Sequence, residues 1–371
     1  MRALIFSVSI GAGHDLAARG VANEIMCQNP GSEVEIVDTF EYINPILHKV
    51  VLGSYIETLK FNPKVWGYLY EQAENGDRLF DFGQILNKLF SPKLANLVKK
   101  FAPDVILSTH AFPCGMLSVL KQKNRVAIPV VGIITDFTIH PFWIHDHIDR
   151  YVIPSWQLKY ILMEMGFPEE KIWPLGLPIR RQFNEIMDKA VARTVFNLTD
   201  RPTVLVMGGG LGLGSMEDIV FHLGNSDLDL QIVVVTGNNK KLRQELEHLQ
   251  VVNQPVVLGY VDQMATLMQA ADVIITKPGG LTTAEVLTSS LPMIIVSPIP
   301  GQEERNTDFL LNNGVALKAR HTSELVILLK QLLNNPLRIT QMQEMARHLS
   351  HPHAAREIVA RMKDEFFSDS L

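Results

Sequence analysis

The chain has 371 residues, of which 47% are hydrophobic and 20% are charged, and its formal net charge at pH 7 is -5. This length exceeds what one ordinary hydrophobic core supports and predicts two domains of roughly 150 to 200 residues each. The mildly acidic charge disfavours nucleic acid as a partner. The two distant cysteines, Cys27 and Cys114, indicate neither a disulfide framework nor a structural zinc site, and they fit a reducing cytoplasm.

Membrane-spanning and secretory segments are not expected from the sequence. No run reaches the roughly 20 apolar residues that a spanning helix needs. The apolar run of about eight residues near the N-terminus ends in glycines and an acid, which is too short for a signal peptide. We therefore expect a cytoplasmic protein that contacts the inner face of the cell membrane only peripherally.

The first half of the sequence alternates β-rich and helical segments. The predicted elements, in chain order, are a strand at 3–10, a helix at 16–26, and strands at 34–38, 105–108, 130–135 and 150–153. Long stretches with helical spacing separate the later strands. Short apolar strands that alternate with helices predict a parallel sheet covered by helices on both faces.

The same pattern restarts after Pro174–Pro178, a stretch with glycine and proline that fits an interdomain crossing. Strands are predicted at 203–207, 231–236, 256–261, 272–276 and 293–297, and helices at 216–223, 240–249, 263–270 and 282–289. The segment 323–367 is nearly all helical in pattern, with breaks near Pro336 and Pro352.

The expected fold class is therefore α/β, with two doubly wound, Rossmann-like domains. The expected boundaries are 1–178 for the first domain, 179–350 for the second, and 351–371 for a C-terminal helix that packs back across the domains. Two such domains that face each other bring the carboxyl ends of both sheets, and their loops, to one cleft.

Gly11, Gly13 and His14 lie where the first predicted strand turns into the first helix. Backbone N–H groups at a helix N-terminus bind anions, and glycine permits close approach of a sugar or phosphate. A plain tight turn is one alternative. A nicotinamide or flavin site is another, because Asp38 stands where a ribose-binding acid is expected, although Leu16 breaks the G-x-G-x-x-G spacing. His14 is a candidate general base or hydrogen-bond donor, or else a capping or packed histidine.

A richer glycine segment, Gly208–Gly214, follows the first predicted strand of the second half and is suited to cradling phosphate. The segment Thr276–Glu285 is more informative, because it places glycines and threonine hydroxyls at a strand-to-helix junction with a carboxylate one turn later. The helix N-terminus suits a diphosphate, and Glu285 can accept both hydroxyls of a ribose. The alternative is an ordinary helix with a capping box made by Thr282 and Glu285.

Together these segments resemble the glycosyltransferases related to monogalactosyldiacylglycerol synthase and the bacterial processive diacylglycerol glucosyltransferases, and more distantly the peptidoglycan N-acetylglucosaminyltransferase. The resemblance covers most of the chain. Its motifs are Ser9–His14 with Ala17 and Ala18, Thr135 and Asp136 with His140, Pro141 and Trp143, Gly208–Gly210, Gly259–Val261 with Met264, Thr276–Glu285, and Gly301–Glu303 with Asn306. Two positions depart from the family pattern: Asp15 stands where a larger or basic residue is common, and Pro278 precedes the glycines of the donor motif.

The resemblance implies a GT-B fold and an inverting transfer of a hexose from a UDP-sugar to a lipid hydroxyl, expected to be that of diacylglycerol. It implies that His14 and Asp136 face the reaction, with Asp136 a candidate base, and that Gly11 and Gly13 form an acceptor or phosphate loop. The implied donor-binding residues are Gly209, Gly210, Val261, Lys277, Gly279, Gly280, Thr282, Thr283, Glu285, Gln302, Glu303 and Asn306. No obligatory divalent metal ion and no other cofactor are expected.

The donor-binding roles implied by the resemblance differ along the chain. Gly279–Thr283 would hold the diphosphate and Glu285 the ribose, while the backbone near Val261 would contact the uracil. Gln302 and Glu303 would touch the donor sugar.

Three other functions are compatible with the pattern: a UDP-sugar epimerase, a nucleotide-sugar-binding protein without transfer activity, and an NAD-dependent oxidoreductase. An epimerase would consume UDP-sugar without acceptor, and a binding protein would bind it without turnover. An oxidoreductase would show a fluorescence response to NADH.

The segment 44–70 has an apolar helical stripe, three lysines and the aromatic residues Trp66, Tyr68 and Tyr70. Amphipathic rings favour lipid interfaces, and lysines favour anionic head groups. We predict that this segment docks on a membrane and admits the lipid acceptor. The alternative is a core helix and a loop of a water-soluble domain.

Overall fold

The computed structural model describes residues 1–9, 12–45, 68, 77–209 and 216–368, with side chains described throughout except over 77–86. These residues form two compact units. The first comprises 1–180, 300–302 and the chain from 351 onward, and the second comprises 181–299 and 303–350.

Strands and helices alternate through most of the described chain. The strands are β1 Arg2–Ser7, β2 Glu33–Asp38, β3 Val105–Ser108, β4 Val130–Ile133, β5 Arg150–Val152, β6 Ile172–Trp173, β7 Thr203–Met207, β8 Gln231–Val235, β9 Val256–Leu258, β10 Val273–Thr276, β11 Met293–Ile295 and β12 Ala316–Lys318. The α-helices are α1 Ala12–Gln28, α2 Thr39–Ile43, α3 Asp77–Phe101, α4 Ala111–Gln122, α5 Trp156–Glu164, α6 Lys189–Val195, α7 Met216–Gly224, α8 Lys240–Glu247, α9 Met264–Ala270, α10 Gly280–Thr288, α11 Gln302–Asn312, α12 Leu325–Leu333, α13 Pro336–Leu349 and α14 Ala354–Phe366.

The first unit is built on a six-stranded parallel sheet with the order β2-β1-β3-β4-β5-β6. Successive residues of β1 face opposite sides of the sheet. Leu4 and Phe6 pack in a core with residues of α3 and α4, whereas Ala3 and Ile5 pack in a second core with residues of α1 and α14. Both faces of the sheet are therefore covered, and the last helix of the chain completes the core of the first unit.

The second unit repeats this plan with a six-stranded parallel sheet in the order β12-β11-β10-β7-β8-β9. Val204 and Val206 of β7 pack in a core with residues of α7, α8 and α12. Because helices cover this sheet, its strands are buried and must consist of apolar runs, which are the signal from which the strands were predicted.

Each sheet has a point at which the strand order reverses direction. In the first unit β1 lies between β2 and β3, and in the second unit β7 lies between β8 and β10. Helices that follow neighbouring strands on the two sides of such a point leave on opposite faces of the sheet, so a crevice opens at the carboxyl ends of the strands. The topology therefore indicates one candidate ligand position in each unit.

The predicted strands are present, but several end earlier than predicted. The strand predicted at 3–10 ends at Ser7, the one at 130–135 ends at Ile133, and the one at 256–261 ends at Leu258. The described residues that follow these strands belong to loops at the carboxyl edges, where pairing with the neighbouring strand stops. Two short strands, β6 and β12, were not predicted, because two or three apolar residues give no clear period.

The helix predicted at 282–289 begins two residues earlier, at Gly280, with Gly279 as its N-cap and no side-chain cap bond. Thr282 and Glu285 consequently lie inside the helix, and the capping-box alternative is wrong. Glycine at the N-cap leaves the first helical N–H groups without a capping side chain.

Within the described part of the chain, no helix is both long enough and apolar enough to cross a membrane. The segment proposed to dock on a membrane, 44–70, lies almost entirely outside the described residues, because only positions 44, 45 and 68 of it are described.

Candidate functional site

His14 lies in the first turn of α1, next to the point where the strand order of the first sheet reverses. Its Nδ1 is 2.8 Å from the carbonyl oxygen of Thr109, the residue that follows β3. Because a carbonyl oxygen can only accept, we assign the ring proton to Nδ1, which leaves Nε2 as the basic nitrogen. The Thr135 hydroxyl oxygen is 3.0 Å from the same Nδ1 and serves as a second acceptor.

The electrostatic surroundings of His14 fit a neutral base. Burial lowers the pKa of His14 below its ordinary value, while Asp136, the Thr109 carbonyl and Asp15 act in the opposite direction. The imidazole is therefore neutral near pH 7, and two carboxylates are in place to stabilise its protonated form. Asp136, half-buried in the loop after β4, thus acts on His14 through space.

Asp15, a departure from the family pattern, is held by two serines. Its Oδ1 accepts the Ser7 hydroxyl at 2.5 Å, and its Oδ2 accepts the Ser9 hydroxyl at 2.8 Å. Ser7 is the last residue of β1, and Ser9 lies two residues beyond it. The negative charge therefore has hydrogen-bond donors within its own unit and lies beside His14.

Asp38 fixes the loop after β1. Its Oδ2 accepts the backbone N–H of Ser9 at 2.8 Å, and its Oδ1 accepts the backbone N–H of Glu41 at 2.9 Å, so that it caps α2. These bonds give the carboxylate a structural role and disfavour the dinucleotide interpretation, in which it would bind a ribose. Gly13 is half-buried inside α1, and Gly11 lies outside the described residues.

Thr109 and His110 were not expected from the sequence to be functional residues. His110 is the N-cap of α4, where its Nδ1 accepts the backbone N–H of Phe112 at 3.1 Å, and its ring centroid is 4.7 Å from that of His14. A usable signal was present, because β3 ends at Ser108 and a helix begins at Ala111, which repeats the strand-turn-helix pattern seen at His14.

In the second unit, two glycine-containing loops leave neighbouring strands at the point of reversal. Met207 of β7 pairs with Thr276 of β10, so the loops that follow them begin side by side. Gly208 is buried and Gly209 has φ +72°, a backbone conformation that favours glycine. Positions 210–215, which include the predicted donor-binding residue Gly210, lie outside the described residues.

The N-terminus of α10 presents polar groups at the same edge. Gly279 is half-buried, Gly280 is the buried first residue of the helix, and Thr282 is half-buried. Thr283 is fully buried, and among the described atoms its hydroxyl has no hydrogen-bond partner. Glu285, one turn into the helix, is only 5% exposed. The helix end combines N–H groups that lack a capping side chain with a buried hydroxyl and a buried carboxylate.

Residues near the start of α11 support the turn before α10. The Asn306 side chain is fully buried and donates from Nδ2 to the carbonyl oxygen of Pro278 at 2.9 Å. Glu303 accepts the backbone N–H of Ile299 at 2.6 Å through Oε2. A Cβ added at Gly279 would lie 3.8 Å from Oε1 of Glu303, so this carboxylate lies close to the turn.

Lys277, the first residue after β10, is half-buried in the same region. Burial lowers the pKa of its ammonium group, and the nearby Glu303 carboxylate opposes that shift. An anionic ligand at this turn would therefore raise this pKa again and stabilise the charged form of Lys277. Lys277, Gly279, Glu303 and Asn306 are brought together around this turn.

The remaining two predicted residues occupy different places. Gln302 is the half-buried first residue of α11 and belongs with 300–302 to the first unit. Val261 is half-buried three residues after β9, the strand at the edge of the second sheet, with β7 and β8 between β9 and β10. The strand that precedes Val261, β9, is therefore three strand intervals from β10, the strand that precedes the Lys277 turn.

Among the described residues, no group of three or more His, Cys, Asp or Glu side chains is arranged to hold a metal ion. The sequence does contain one Asp-x-Asp triplet, Asp227-Leu228-Asp229, although no metal ion was expected. It precedes β8 and so lies at the opposite edge of the sheet from the glycine loops, where Asp227 pairs with Lys330 and Asp229 pairs with Arg201.

Comparison with known proteins agrees with this architecture. The monogalactosyldiacylglycerol (MGDG) synthase family model matches residues 14–179, and the glycosyltransferase family 28 C-terminal domain model matches residues 203–361. A processive diacylglycerol beta-glucosyltransferase of Bacillus licheniformis is 30% identical over 357 residues, which cover 94% of this chain and 91% of that protein.

Two solved structures show the same fold. MurG of Acinetobacter baumannii has a TM-score of 0.65 at 16% identity, covering 98% of this chain and 99% of that chain. Anabaena HepE in complex with UDP-glucose has a TM-score of 0.57 at 12% identity, with the same coverage. The two Rossmann-like units are thus those of a GT-B glycosyltransferase. The chain belongs to the family of monogalactosyldiacylglycerol synthase and the processive diacylglycerol glucosyltransferases.

Proposed function

We propose that this glycosyltransferase transfers a hexosyl group from a UDP-sugar to the hydroxyl of diacylglycerol, with inversion at the anomeric carbon. The acceptor is inferred from the name of the Bacillus licheniformis relative, and the donor from the complex of HepE with UDP-glucose. The observation that carries the proposal is the setting of His14. Its Nδ1 lies on a carbonyl oxygen, its Nε2 has no hydrogen bond to any residue that the structure describes, and two carboxylates lie nearby.

His14 rather than Asp136 is the proposed base. Its Nε2 takes the proton of the acceptor hydroxyl while the hydroxyl oxygen forms a bond to the anomeric carbon, and the bond from that carbon to the β-phosphate oxygen of UDP breaks. Asp136 and Asp15 then stabilise the imidazolium that results. A positioned general base contributes about 10²–10⁴-fold in rate.

The second unit is proposed to bind the donor. N–H groups at the start of α10, together with the neighbouring backbone of Gly208 and Gly209, provide positive potential for the diphosphate of departing UDP. Lys277 supplies a full positive charge at the same turn, so we propose that no divalent ion is obligatory. Glu285 would accept the two ribose hydroxyls.

Other predicted donor-binding residues take supporting roles in this proposal. Asn306 acts by holding the carbonyl of Pro278, and Glu303 acts by bracing the turn at Gly279 and Ile299. The backbone of Val261 and the side chain of Gln302 stay as proposed contacts to uracil and donor sugar.

The test is to incubate the protein with a panel of UDP-sugars and diacylglycerol, in the presence and absence of EDTA, and to identify products by mass. The anomeric configuration of a product follows from its proton coupling constant. We expect a β-glycosyl-diacylglycerol from an α-linked donor, with activity retained in EDTA. UDP-sugar conversion without acceptor would establish an epimerase instead, and binding without turnover would establish a binding protein.

A diacylglycerol acceptor requires access to a lipid surface. We therefore propose that the protein works at the cytoplasmic face of the membrane through peripheral contact, for which 44–70 is the candidate segment.

A further inference from the structure

The rings of His14 and His110 meet edge to face. Their centroids are 4.7 Å apart and their planes are inclined by 76°. The two residues come from different elements, since His14 lies in α1 and His110 immediately precedes α4. This contact is not part of the base's hydrogen bonding, because Nδ1 of His14 is engaged by Thr109 and Thr135.

His110 is itself firmly anchored. Its Nδ1 accepts the backbone N–H of Phe112 at 3.1 Å, and its carbonyl oxygen accepts the Ser108 hydroxyl at 2.9 Å. An Nδ1 that accepts cannot carry a proton, so the ring proton is on Nε2. Burial and the neighbouring His14 together lower the pKa of His110 well below its ordinary value. Protonation of Nδ1 would also remove the cap of α4, so His110 stays neutral while His14 works.

We propose that His110 is a positioning residue for His14, whose ring blocks rotation of the imidazole and shields it from water, so that Nδ1 stays on Thr109 and Nε2 stays open. The inference rests on the proposed role of His14 as base. The charged groups that face His14 are Asp15 from its own helix and Asp136 from the loop after β4, and the uncharged ring of His110 faces it from the start of α4.

Two substitutions distinguish the effect of the His110 ring on His14 from the effect of the His110 side chain as the N-cap of α4. His110→Asn keeps a side-chain oxygen suited to the N-cap of α4 but removes the ring. His110→Phe keeps an aromatic ring but removes the cap acceptor. If the ring positions and shields His14, only the asparagine variant should disturb the base, whereas only the phenylalanine variant should lose the cap and melt at a lower temperature.

The direction in which the pKa of His14 should change follows from the causes that shift this pKa in the parent protein. Burial is the largest of them, so water that enters where the ring was should raise the pKa of His14. In His110→Asn the acidic limb of the kcat/KM profile should therefore move to higher pH. The plateau should fall about tenfold, less than the 10²–10⁴-fold expected when the base itself is removed.

The measurement is an NMR titration of the full chain labelled with ¹³C-histidine, in which the His14 signal is assigned by its loss in His14→Gln. We expect a higher titration midpoint for His14 in His110→Asn, an unchanged midpoint in His110→Phe, and a lower Tm in His110→Phe than in His110→Asn. An unchanged midpoint in His110→Asn, or equal shifts in both variants, would overturn the inference. This titration needs no substrate, so it tests the role of His110 even if the chain transfers no sugar.

Discussion

The Nδ1 atom of His14 lies 2.8 Å from the carbonyl oxygen of Thr109, which is 95 residues further along the chain. The contact joins the first turn of α1 to the loop after β3, across the point where the strand order reverses. It sets the tautomer of the histidine and so decides which nitrogen can take a proton. The proposed chemistry of the first unit depends on this one bond.

Replacing Asp136 tests its assignment as an electrostatic partner rather than as the base. Asp136 raises the pKa of His14, so in Asp136→Asn the acidic limb of the kcat/KM profile should move to lower pH. Turnover should fall less than in His14→Gln, for which we expect a loss of about 10²–10⁴-fold. Rates across pH 5 to 9 for both variants provide the measurement. A loss of activity in Asp136→Asn that equals or exceeds the loss in His14→Gln would instead make Asp136 the base.

Replacing Glu285 tests the ribose assignment. A charged acceptor of a hydrogen bond contributes about 1.5 to 3 kcal/mol, so Glu285→Gln should weaken UDP binding roughly ten- to 150-fold. The matched control is UDP that lacks both ribose hydroxyls, which should bind the parent and the variant with equal affinity in calorimetry. If the variant loses affinity for both ligands alike, Glu285 supports the fold of the site instead of holding the ribose.

We predict that glycine is needed at position 279 so that the ligand can approach the backbone closely, and not because of the backbone conformation there. Its φ is -64°, which any residue adopts, and an added Cβ would lie 3.8 Å from Glu303. Gly279→Ala should therefore cost less than about 1 kcal/mol of stability yet weaken UDP binding at least tenfold.

Gly31 provides the opposite case as a control. It has φ +91° with nothing near its added Cβ, so Gly31→Ala should lose roughly 1–2 kcal/mol of stability while UDP affinity stays unchanged. Thermal melts and calorimetry on the two variants distinguish these effects. Unchanged UDP affinity in Gly279→Ala would exclude close approach of the diphosphate to this turn.

Acid should destabilise the first unit through His145. Burial lowers the pKa of this residue to about 4, against an ordinary value of 6.5. Between these two values the unfolded chain binds a proton that the folded chain does not, so stability is lost as the pH falls through this window. The effect of His145 amounts to about 3 kcal/mol.

Denaturant titrations between pH 7 and 4 measure this dependence. The half-buried His14 and His110, whose pKa values are also lowered, act in the same direction. The slope of the unfolding free energy against pH should therefore become shallower by one proton in His145→Gln, rather than vanish. A slope equal to that of the parent would show that His145 titrates normally in the folded protein.

Membrane docking by 44–70 stays a prediction, because most of that segment lies outside the described residues. Each lysine near an anionic surface contributes on the order of 1 kcal/mol. Co-sedimentation with liposomes should therefore be stronger with anionic lipid, and replacing Lys49, Lys60 and Lys64 by glutamine should remove that difference. Absence of binding to either liposome, together with activity on a water-soluble acceptor, would remove both the docking segment and the lipid substrate.

Local sequence determined the alternation of strands and helices and the position of the glycine junctions. A strand covered on both faces must be an uninterrupted apolar run, and glycines mark the turns that follow, so both signals are visible within a few neighbouring residues. The segments around His14 and Thr276–Glu285 were identifiable on this basis. The predictions of strand ends and of the N-cap of α10 were less accurate, because strand pairing and helix starts depend on neighbours that are distant in sequence.

Only the tertiary structure decided which side chains meet at these junctions. The order β2-β1-β3 places the loop after β3 beside His14, and the sequence pattern of each strand is equally compatible with other orders. The hydrogen bond to Thr109 and the ring contact with His110 follow from that order. The same holds for α14, whose Ile358 and Met362 share one core of the first unit with Ala18 and Ile25, over 300 residues earlier in the chain.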